Sequence, residues 1–251
     1  QRPATLAGPG PGMIVIPMAG RSQRFFDAGY TLPKFMLPLG GESVFAHAVG
    51  SFAAYFASLP FLFIVAPGAE NIAFVEAECA RLGVASARVL ELTAITAGQA
   101  ETVAIGLDGA GIDDAEPITI FNIDTFRPGF EFPGAWFAGL DGWLEVFEGE
   151  GANWSYVRPA EGDLPLAAET AEKRRISNLC CTGLYHFARA GDFRAALAAE
   201  RLAPQAAELY VAPLYNHLIG RGGKTGYSLI DPADVIFCGT PQEYQALLTP
   251  A

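Results

Sequence analysis

Lysine is scarce in this chain of 251 residues, which carries three: Lys34, Lys173 and Lys224. Acidic side chains outnumber basic ones, with 27 Asp and Glu against 16 Lys and Arg, and the formal net charge is −11 at pH 7. A nucleic-acid footprint needs a basic face that such a chain cannot easily assemble, so nucleic acid is not expected as a partner. Any phosphate must therefore be bound locally, by a few well-placed cations.

Cysteine and histidine are also few. The four cysteines form neither a CxxC pair nor a Cys/His ligand spacing, so no zinc site or disulfide framework is predicted, and they are interpreted as small buried apolar residues. None of the three histidines has a Ser or Cys partner in a recognisable motif, which disfavours a hydrolase triad. No Gly-x-Gly-x-x-Gly follows the first strand, which disfavours a dinucleotide-binding domain.

No apolar run of the sequence is long enough to cross a membrane. The longest, residues 52–66, is too short and is interrupted by Pro60. Residues 1–12 are rich in Pro and Gly without an apolar segment, which predicts a flexible leader ahead of one domain at 13–251. With 51% hydrophobic residues the chain can bury a full core, and we expect a cytoplasmic protein without a membrane partner.

Strand-length apolar runs alternate with helical stretches in the first half of the chain. This rhythm predicts a parallel sheet covered by helices, with strands at 13–17, 61–66, 87–92 and 117–123 and helices at 43–58, 69–82 and 99–107. Short strands then follow with fewer helices between them, at 143–147, 153–158 and 181–187, which predicts an inserted small mixed sheet. The pattern ends with helices at 192–200 and 205–219, a strand at 227–230 and a helix at 241–248.

The most informative segment is the loop after the first strand, which carries Arg21, Arg24 and Lys34. In an open α/β sheet, ligands bind beyond the carboxyl ends of the strands, so these cations predict an anionic ligand such as a nucleoside phosphate. Gly20 allows the backbone to approach phosphate oxygens closely, and Pro33 restricts the backbone just before Lys34. The alternative is a solvated surface loop with incidental charges.

Three further segments carry candidate site residues. Asp124 ends an apolar strand, where a carboxylate can hold Mg²⁺ against a phosphate, although the same residue type also caps helices and turns. Gly98 and Gln99 open a helix, either as an ordinary helix start or as a glycine and an amide that read a nucleobase edge. Lys173 leads a basic cluster that suits the phosphate of a second substrate, or else forms a solvated turn.

Taken together, these segments resemble the sugar-phosphate nucleotidyltransferases, which are pyrophosphorylase-like enzymes. The main match is Pro-Met-Ala-Gly-x-x-x-Arg-Phe-x-x-Ala-Gly-Tyr-x-x-Pro-Lys-x-x-x-Pro at 17–38, and the segments 208–216 and 238–244 complete it. The branch most resembled is that of bacterial capsule and surface-polysaccharide synthesis, in which Asn-x-Asp is the form of residues 122–124. The fold implied is a three-layer, Rossmann-like (GT-A-like) α/β fold with a mostly parallel sheet and an inserted small mixed sheet.

The resemblance also implies roles for individual residues. In the family, the positions of Arg24 and Lys34 contact the phosphates of the nucleotide, and the position of Lys173 binds the phosphate of the acceptor. These three are the implied catalytic residues, with Asp124 as the Mg²⁺ ligand. The remaining nucleotide-binding residues implied are Ala19, Gly20, Arg21, Gly98, Gln99 and Asn122.

The activity implied is transfer of a nucleoside monophosphate from an NTP to a sugar phosphate or a related small phosphate, with release of pyrophosphate. Mg²⁺ is the implied cofactor, and CTP is the guess for the nucleotide within the capsule-related branch. The partners expected are this NTP and a small-molecule phosphate acceptor. The oligomeric state stays open, and a homo-oligomer is one of its alternatives.

The chain departs from the family pattern at three positions. Ser22 stands where the loop usually has a second Gly, Gln23 where it has Ser or Thr, and Phe237 where many relatives have a second metal-binding Asp. These departures would also suit a catalytically impaired regulatory protein that binds a nucleotide, which is the first alternative. A GT-A glycosyltransferase is the second alternative, disfavoured because Asn122 replaces the first acid of an Asp-x-Asp motif.

Overall fold

The computed structural model of the chain describes residues 10–249. The predicted leader falls mainly on residues 1–9, which lie outside the described residues. The strands of residues 10–249 are, in chain order, β1 Met13–Met18, β2 Pro38–Leu39, β3 Glu42–Ser43, β4 Phe61–Val65, β5 Ala87–Glu91, β6 Ile118–Phe121, β7 Thr125–Phe126, β8 Gly142–Glu148, β9 Ser155–Pro159, β10 Ala167–Glu172, β11 Leu179–Phe187, β12 Thr225–Ile230 and β13 Ile236–Phe237. The α-helices are α1 Gln23–Asp27, α2 Val44–Gly50, α3 Ala69–Leu82, α4 Gln99–Gly109, α5 Ala190–Leu202, α6 Leu214–Gly220 and α7 Pro241–Leu248.

The centre of the sheet is parallel, in the order β5-β4-β1-β6. β1 pairs with β4 on one side and with β6 on the other, and β4 pairs with β5. Every residue of β1 and β4 is buried, which explains their uninterrupted apolar sequences, because helices cover both faces of a parallel sheet. The four strands predicted for the first half of the chain are all present.

The later strands extend this sheet and make it mixed. β11 lies antiparallel beside β6 and also pairs with β8 and β9, β10 pairs with β9, and β12 lies parallel to β8. Nine strands thus form one continuous sheet, and two short antiparallel pairs, β2–β3 and β7–β13, lie beside it. The predicted α/β fold, with a mostly parallel sheet and an added mixed part, is confirmed.

Two apolar clusters, one on each face of the sheet, give the fold three layers. Because side chains alternate along a strand, Val15 of β1 joins the cluster under α4, α5 and α6, whereas Ile14 and Ile16 join the cluster under α2 and α3. The same alternation divides β4, whose Ile64 faces α4 and whose Phe63 faces α2. The site residues at the strand ends are therefore attached to a core that is packed from both sides.

Two predicted helices are too long. The helix predicted at 43–58 ends at Gly50, and a single 3₁₀ turn at 53–55 follows, because Gly and Ser are weak helix formers and the buried Ser51 hydroxyl accepts a hydrogen bond from the Arg127 N–H. The helix predicted at 205–219 begins only at Leu214. In this stretch the Leu209 N–H donates to the Ala97 carbonyl, and the Leu209 carbonyl accepts from the Ala100 N–H at the start of α4, so neither group makes a helical bond. Pro213 has no N–H to donate.

All four cysteines are free and buried, as expected. None of the helices in residues 10–249 combines the length and the apolar character that crossing a membrane requires. His186 is also buried, and this burial lowers its pKa to about 3, so it is a neutral core residue that bonds to Thr119.

A buried ion pair fixes the short β7–β13 ribbon to the main sheet. Arg127, the residue after β7, donates from Nε and Nη2 to the Glu145 carboxylate of β8 at 2.5 and 3.0 Å. Its Nη1 donates to the Asp234 carbonyl at 2.8 Å, just ahead of β13. The side chains of Arg127 and Glu145 are only 10% and 3% exposed, so each charge depends on the other for solvation.

We expect Arg127→Met to lower the free energy of unfolding by about 3 kcal/mol, because it leaves the Glu145 carboxylate buried without its partner. The measurement is equilibrium urea unfolding at pH 7. The matched control is Arg158→Met, since Arg158 pairs with Glu169 on the surface and its loss should change stability by about 0.5 kcal/mol or less. Equal losses for the two variants would contradict a structural role for the buried pair.

Candidate active site

Two adjoining cavities open at the carboxyl ends of the parallel strands. The first pocket, of about 600 Å³, is formed by the loops that follow β1, β5 and β6. The second pocket, of about 670 Å³, lies between these loops, strands β9 to β11 and the segment 237–243. Gln99, Asn122 and Asp124 line both pockets and mark the place where they meet.

The position of these pockets follows from the strand order. After β1 the chain adds β4 and β5 on one side, and then crosses to place β6 on the other side of β1. The loops after β1 and β6 therefore diverge and leave a crevice between them, which is where open α/β sheets bind their ligands. The loop from Ala19 onward forms one wall of this crevice, and the segment from Asn122 to Asp124 forms the other.

All ten site residues named from the sequence line one or both pockets. Ala19, Gly20, Arg21, Lys34 and Gly98 line the first pocket, Arg24 and Lys173 line the second, and Gln99, Asn122 and Asp124 line both. Arg24 and Lys34, which were both expected at the phosphates of one nucleotide, thus lie in different pockets. Their roles, like those of the other eight residues, remain predictions.

Lys34 and Asp124 form an ion pair where the two pockets meet. The Lys34 Nζ donates to the Asp124 Oδ2 at 2.5 Å, and the two side chains are 21% and 24% exposed, so a ligand can reach both. Ser22 holds the backbone of this lysine, because the Ser22 Oγ accepts a hydrogen bond from the Lys34 N–H at 3.1 Å. The Ser22 backbone is left-handed, with φ at 52°, a conformation that glycine adopts at lower cost. The departure at Ser22 is therefore accommodated, and its hydroxyl has a structural partner.

The single carboxylate of Asp124 fits a metal ion whose other ligands are mainly phosphate oxygens of a substrate. Among residues 10–249 no three His, Cys, Asp or Glu side chains converge as a metal cage. Phe237 occupies the position where many relatives have a second metal-binding Asp, and the centre of its ring lies 4.8 Å from the centre of the Trp154 ring. Nearby, the Glu243 carboxylate accepts hydrogen bonds from the Gly239 and Thr240 N–H groups at the start of α7. Asp124 thus offers a single carboxylate, of which Oδ2 also accepts the bond from the Lys34 Nζ. One carboxylate is compatible with Mg²⁺, because this ion is often held by one or two carboxylates plus substrate phosphates.

Asn122 and Gln99 bond to each other across the junction. The Gln99 Nε2 donates to the Asn122 Oδ1 at 2.5 Å, and the Asn122 N–H donates to the Gly183 carbonyl of β11 at 3.2 Å. Gly183 has a positive φ, and a Cβ there would lie 2.4 Å from the Asn122 Nδ2. Only glycine lets β11 approach this amide, so Asn122 is held from two sides.

Gly98 is required by the backbone of a distant segment. With φ at 152°, a Cβ on Gly98 would lie 2.6 Å from the Leu209 carbonyl oxygen and 2.7 Å from its nitrogen. The Leu209 N–H donates to the Ala97 carbonyl, and its carbonyl accepts from the Ala100 N–H. The sequence suggested that Gly98 makes room for a base, and the structure shows that it also makes room for Leu209.

The second pocket contains residues that the sequence interpretation did not single out. Tyr210 accepts a hydrogen bond from the Lys173 Nζ at 2.7 Å, and this bond raises the pKa of Lys173. Glu172 accepts a hydrogen bond from the Ser155 hydroxyl, and burial raises the pKa of the Glu172 carboxyl. Trp154 forms part of the wall. The segment 208–216 was noted as part of the motif pattern, but nothing in its sequence identified Tyr210 as the partner of Lys173.

Comparison with solved structures finds similar proteins at both high and low sequence identity. A nucleoside-diphosphate-sugar pyrophosphorylase from Vibrio cholerae RC9 is 50% identical, with a TM-score of 0.89, over 94% of this chain and 99% of that one. An inositol-1-phosphate CTP transferase from T. maritima is 14% identical, with a TM-score of 0.71, over 95% of this chain and 96% of that one. A UDP-glucose pyrophosphorylase complexed with UDP-glucose is 15% identical, with a TM-score of 0.72, over 94% and 96%. The last two share the fold. No protein-family model matches the chain, and no curated protein does either.

We expect Gly98→Ala to lower the free energy of unfolding by roughly 1–3 kcal/mol, because the new Cβ overlaps the Leu209 backbone and the positive φ is strained for alanine. Thermal and urea unfolding without ligand measure this loss. Gly20→Ala is the matched control, since a Cβ there has no heavy atom within 4 Å, and its stability should stay near that of the wild type. A Gly98→Ala protein as stable as the control would show that Leu209 can move away.

Proposed function

Because this chain belongs to the nucleoside-diphosphate-sugar pyrophosphorylase family, we propose that it transfers a nucleoside monophosphate from an NTP to a small phosphate acceptor and releases pyrophosphate. Family membership makes the chain a nucleotidyltransferase. The substrates are inferred from the site. The observation that carries the proposal is that the predicted nucleotide and acceptor residues line two adjoining pockets that meet at Asp124.

In this proposal the NTP occupies the first pocket and the acceptor the second. Gly20 and Arg21, together with the Lys34 ammonium, supply the anion-binding groups for the nucleotide. Lys173 and Arg24 supply the cations of the second pocket. The acceptor phosphate then faces the α-phosphate of the nucleotide across the junction.

The reaction needs little covalent help from the protein. An acceptor phosphate oxygen forms a bond to the α-phosphorus, and the bond from that phosphorus to the bridging oxygen breaks, so pyrophosphate leaves with the electron pair. An ionised phosphate is already a nucleophile and needs no general base. The rate would come from alignment by Lys173 and from charge neutralisation by Lys34 and Arg24. When bound, Mg²⁺ would be held by Asp124 and the substrate phosphates and would supply further positive charge.

The finer assignment follows the sequence resemblance. We infer that the product is a nucleotide-activated building block for capsule or surface polysaccharide, made in the cytoplasm by a single domain at 13–251. The form Asn122-x-Asp124 supports this branch, and CTP is the first nucleotide to test because of it. The T. maritima protein, whose name gives inositol 1-phosphate and CTP as its substrates, shares the fold at 14% identity and lends no weight to either substrate here.

A pyrophosphate-release screen tests the proposal. Each of the four NTPs is combined with a panel of sugar, polyol, choline and amino-acid phosphates in the presence of Mg²⁺. We expect release for one nucleotide, dependent on one class of acceptor. Silence across the panel, together with a thermal shift caused by one nucleotide, would instead favour the catalytically impaired regulatory protein, the reading that Phe237 at the second acid position supports.

We expect Lys34→Ala to lower kcat/KM roughly 100-fold or more with the active pair, because the charge that faces the phosphates is lost. Steady-state pyrophosphate release measures the change, with a melting curve to show that the variant is folded. Lys224→Ala is the matched control, because Lys224 is exposed and lines neither pocket. If Lys34→Ala and Lys224→Ala had the same rate, Lys34 would not act on the phosphates.

A further inference from the structure

Lys173 is held in an unusual backbone conformation. It is one of two non-glycine residues of 10–249 with a positive φ, at 52°, and Ser22 is the other. Its N–H donates to the Trp154 carbonyl at 2.8 Å. Such a conformation costs of order 1 kcal/mol and persists where the surrounding contacts over-determine it, often at functional sites. The backbone from which the Lys173 side chain extends into the second pocket is therefore held in one conformation.

The far end of the Lys173 side chain has a second point of attachment. Its Nζ donates to the Tyr210 hydroxyl at 2.7 Å. The contact is a charge-assisted hydrogen bond. An ammonium has three donors, so two remain for a ligand in the pocket. The other charged groups acting on this amine are Glu172 and Glu208, which both favour its protonated form.

Tyr210 is itself anchored to the first pocket. The neighbouring Leu209 pairs with residues 97–100, where the loop joins α4. The Leu209 N–H donates to the Ala97 carbonyl at 3.1 Å, and the Leu209 carbonyl accepts from the Ala100 N–H at 2.8 Å. Glu208 lines the first pocket, whereas Tyr210 lines the second. The backbone at 208–210 therefore runs from one pocket to the other, and the loop beside Gly98 fixes its middle.

We propose that Tyr210 is a positioning residue, which aims the Lys173 ammonium at the acceptor phosphate and is held in register by the loop of the first pocket. The proposal rests on the proposed function in assigning a phosphate to Lys173. Without the Tyr210 hydroxyl, the exposed lysine side chain would sample several rotamers and lose the alignment with the junction. Tyr210 itself takes no part in bond making.

Tyr210→Phe is the variant that tests this, since it keeps the ring and removes only the hydroxyl. The protein is labelled with [¹³C]lysine, and its three ε-carbon signals are assigned from single Lys→Arg variants. We expect the Lys173 titration midpoint to fall, because the lost hydrogen bond favoured the charged amine. The ε-carbon chemical shifts of Lys34 and Lys224 at pH 7.5 should be the same in Tyr210→Phe and in the wild type.

The same spectra measure binding with inorganic phosphate as the probe. Phosphate should perturb the Lys173 signal of the wild type at pH 7.5, with affinity about tenfold weaker in Tyr210→Phe. Tyr55→Phe is the matched control, because the Tyr55 hydroxyl accepts a hydrogen bond from the Phe132 N–H and lines neither pocket. An unchanged Lys173 midpoint with unchanged phosphate affinity in Tyr210→Phe would overturn the proposal.

Kinetics separate this inference from the proposed function. With the active pair from the screen, Tyr210→Phe should raise the acceptor KM and lower kcat, each by about tenfold, and leave the NTP KM within about twofold. A purely structural defect would instead change the NTP KM as well. A wild-type protein without transferase activity would remove the proposed function, while the lysine titration would still decide whether Tyr210 positions Lys173.

Discussion

Parallel pairing around β1 is the constraint on which the rest of the structure depends. Two neighbouring parallel strands cannot be joined by a tight turn, so each must be followed by a loop and a crossover. The loops that follow β1, β5 and β6 consequently lie at the same edge of the sheet. Because β4 and β6 lie on opposite sides of β1, those loops diverge, and the two pockets occupy the resulting space.

The two residues of 10–249 that have a positive φ without being glycine both line these pockets. Ser22 and Lys173 are left-handed without being glycine, and Gly98 and Gly183 admit close contacts that no side chain would allow. Each is held by specific partners: Ser22 by the Lys34 N–H, Lys173 by Trp154 and Tyr210, and Gly98 by Leu209. The buried Arg127–Glu145 pair adds a rigid support beneath the ribbon that follows Asp124. These contacts hold the backbone in place around the junction of the two pockets, where the proposed reaction would need two substrates to be aligned.

The sequence predicted the parallel half of the fold well because β1, β4 and β6 are buried along their whole length and are almost entirely apolar. It was weaker where tertiary contacts decide the structure. β10, with the sequence Ala-Ala-Glu-Thr-Ala-Glu, has few β-forming residues and is a strand because it pairs with β9. The segment 205–213 has a helical pattern, but the backbone bonds of Leu209 go to Ala97 and Ala100. The predicted site residues lie near one another because the loops at the strand ends carry most of them, and their roles stay predictions, whereas the Tyr210 contact depends on long-range packing.

The hydrogen bond between the Lys34 N–H and the Ser22 hydroxyl has a consequence for how this loop meets an anion. That backbone donor is already used, so in the proposed nucleotide site this position would attract phosphate through the ammonium charge of Lys34 instead of a peptide N–H. Attraction between partly exposed charges weakens as the Debye length shrinks, to about 8 Å at physiological ionic strength. Nucleotide affinity at the proposed site would therefore fall as the salt concentration rises.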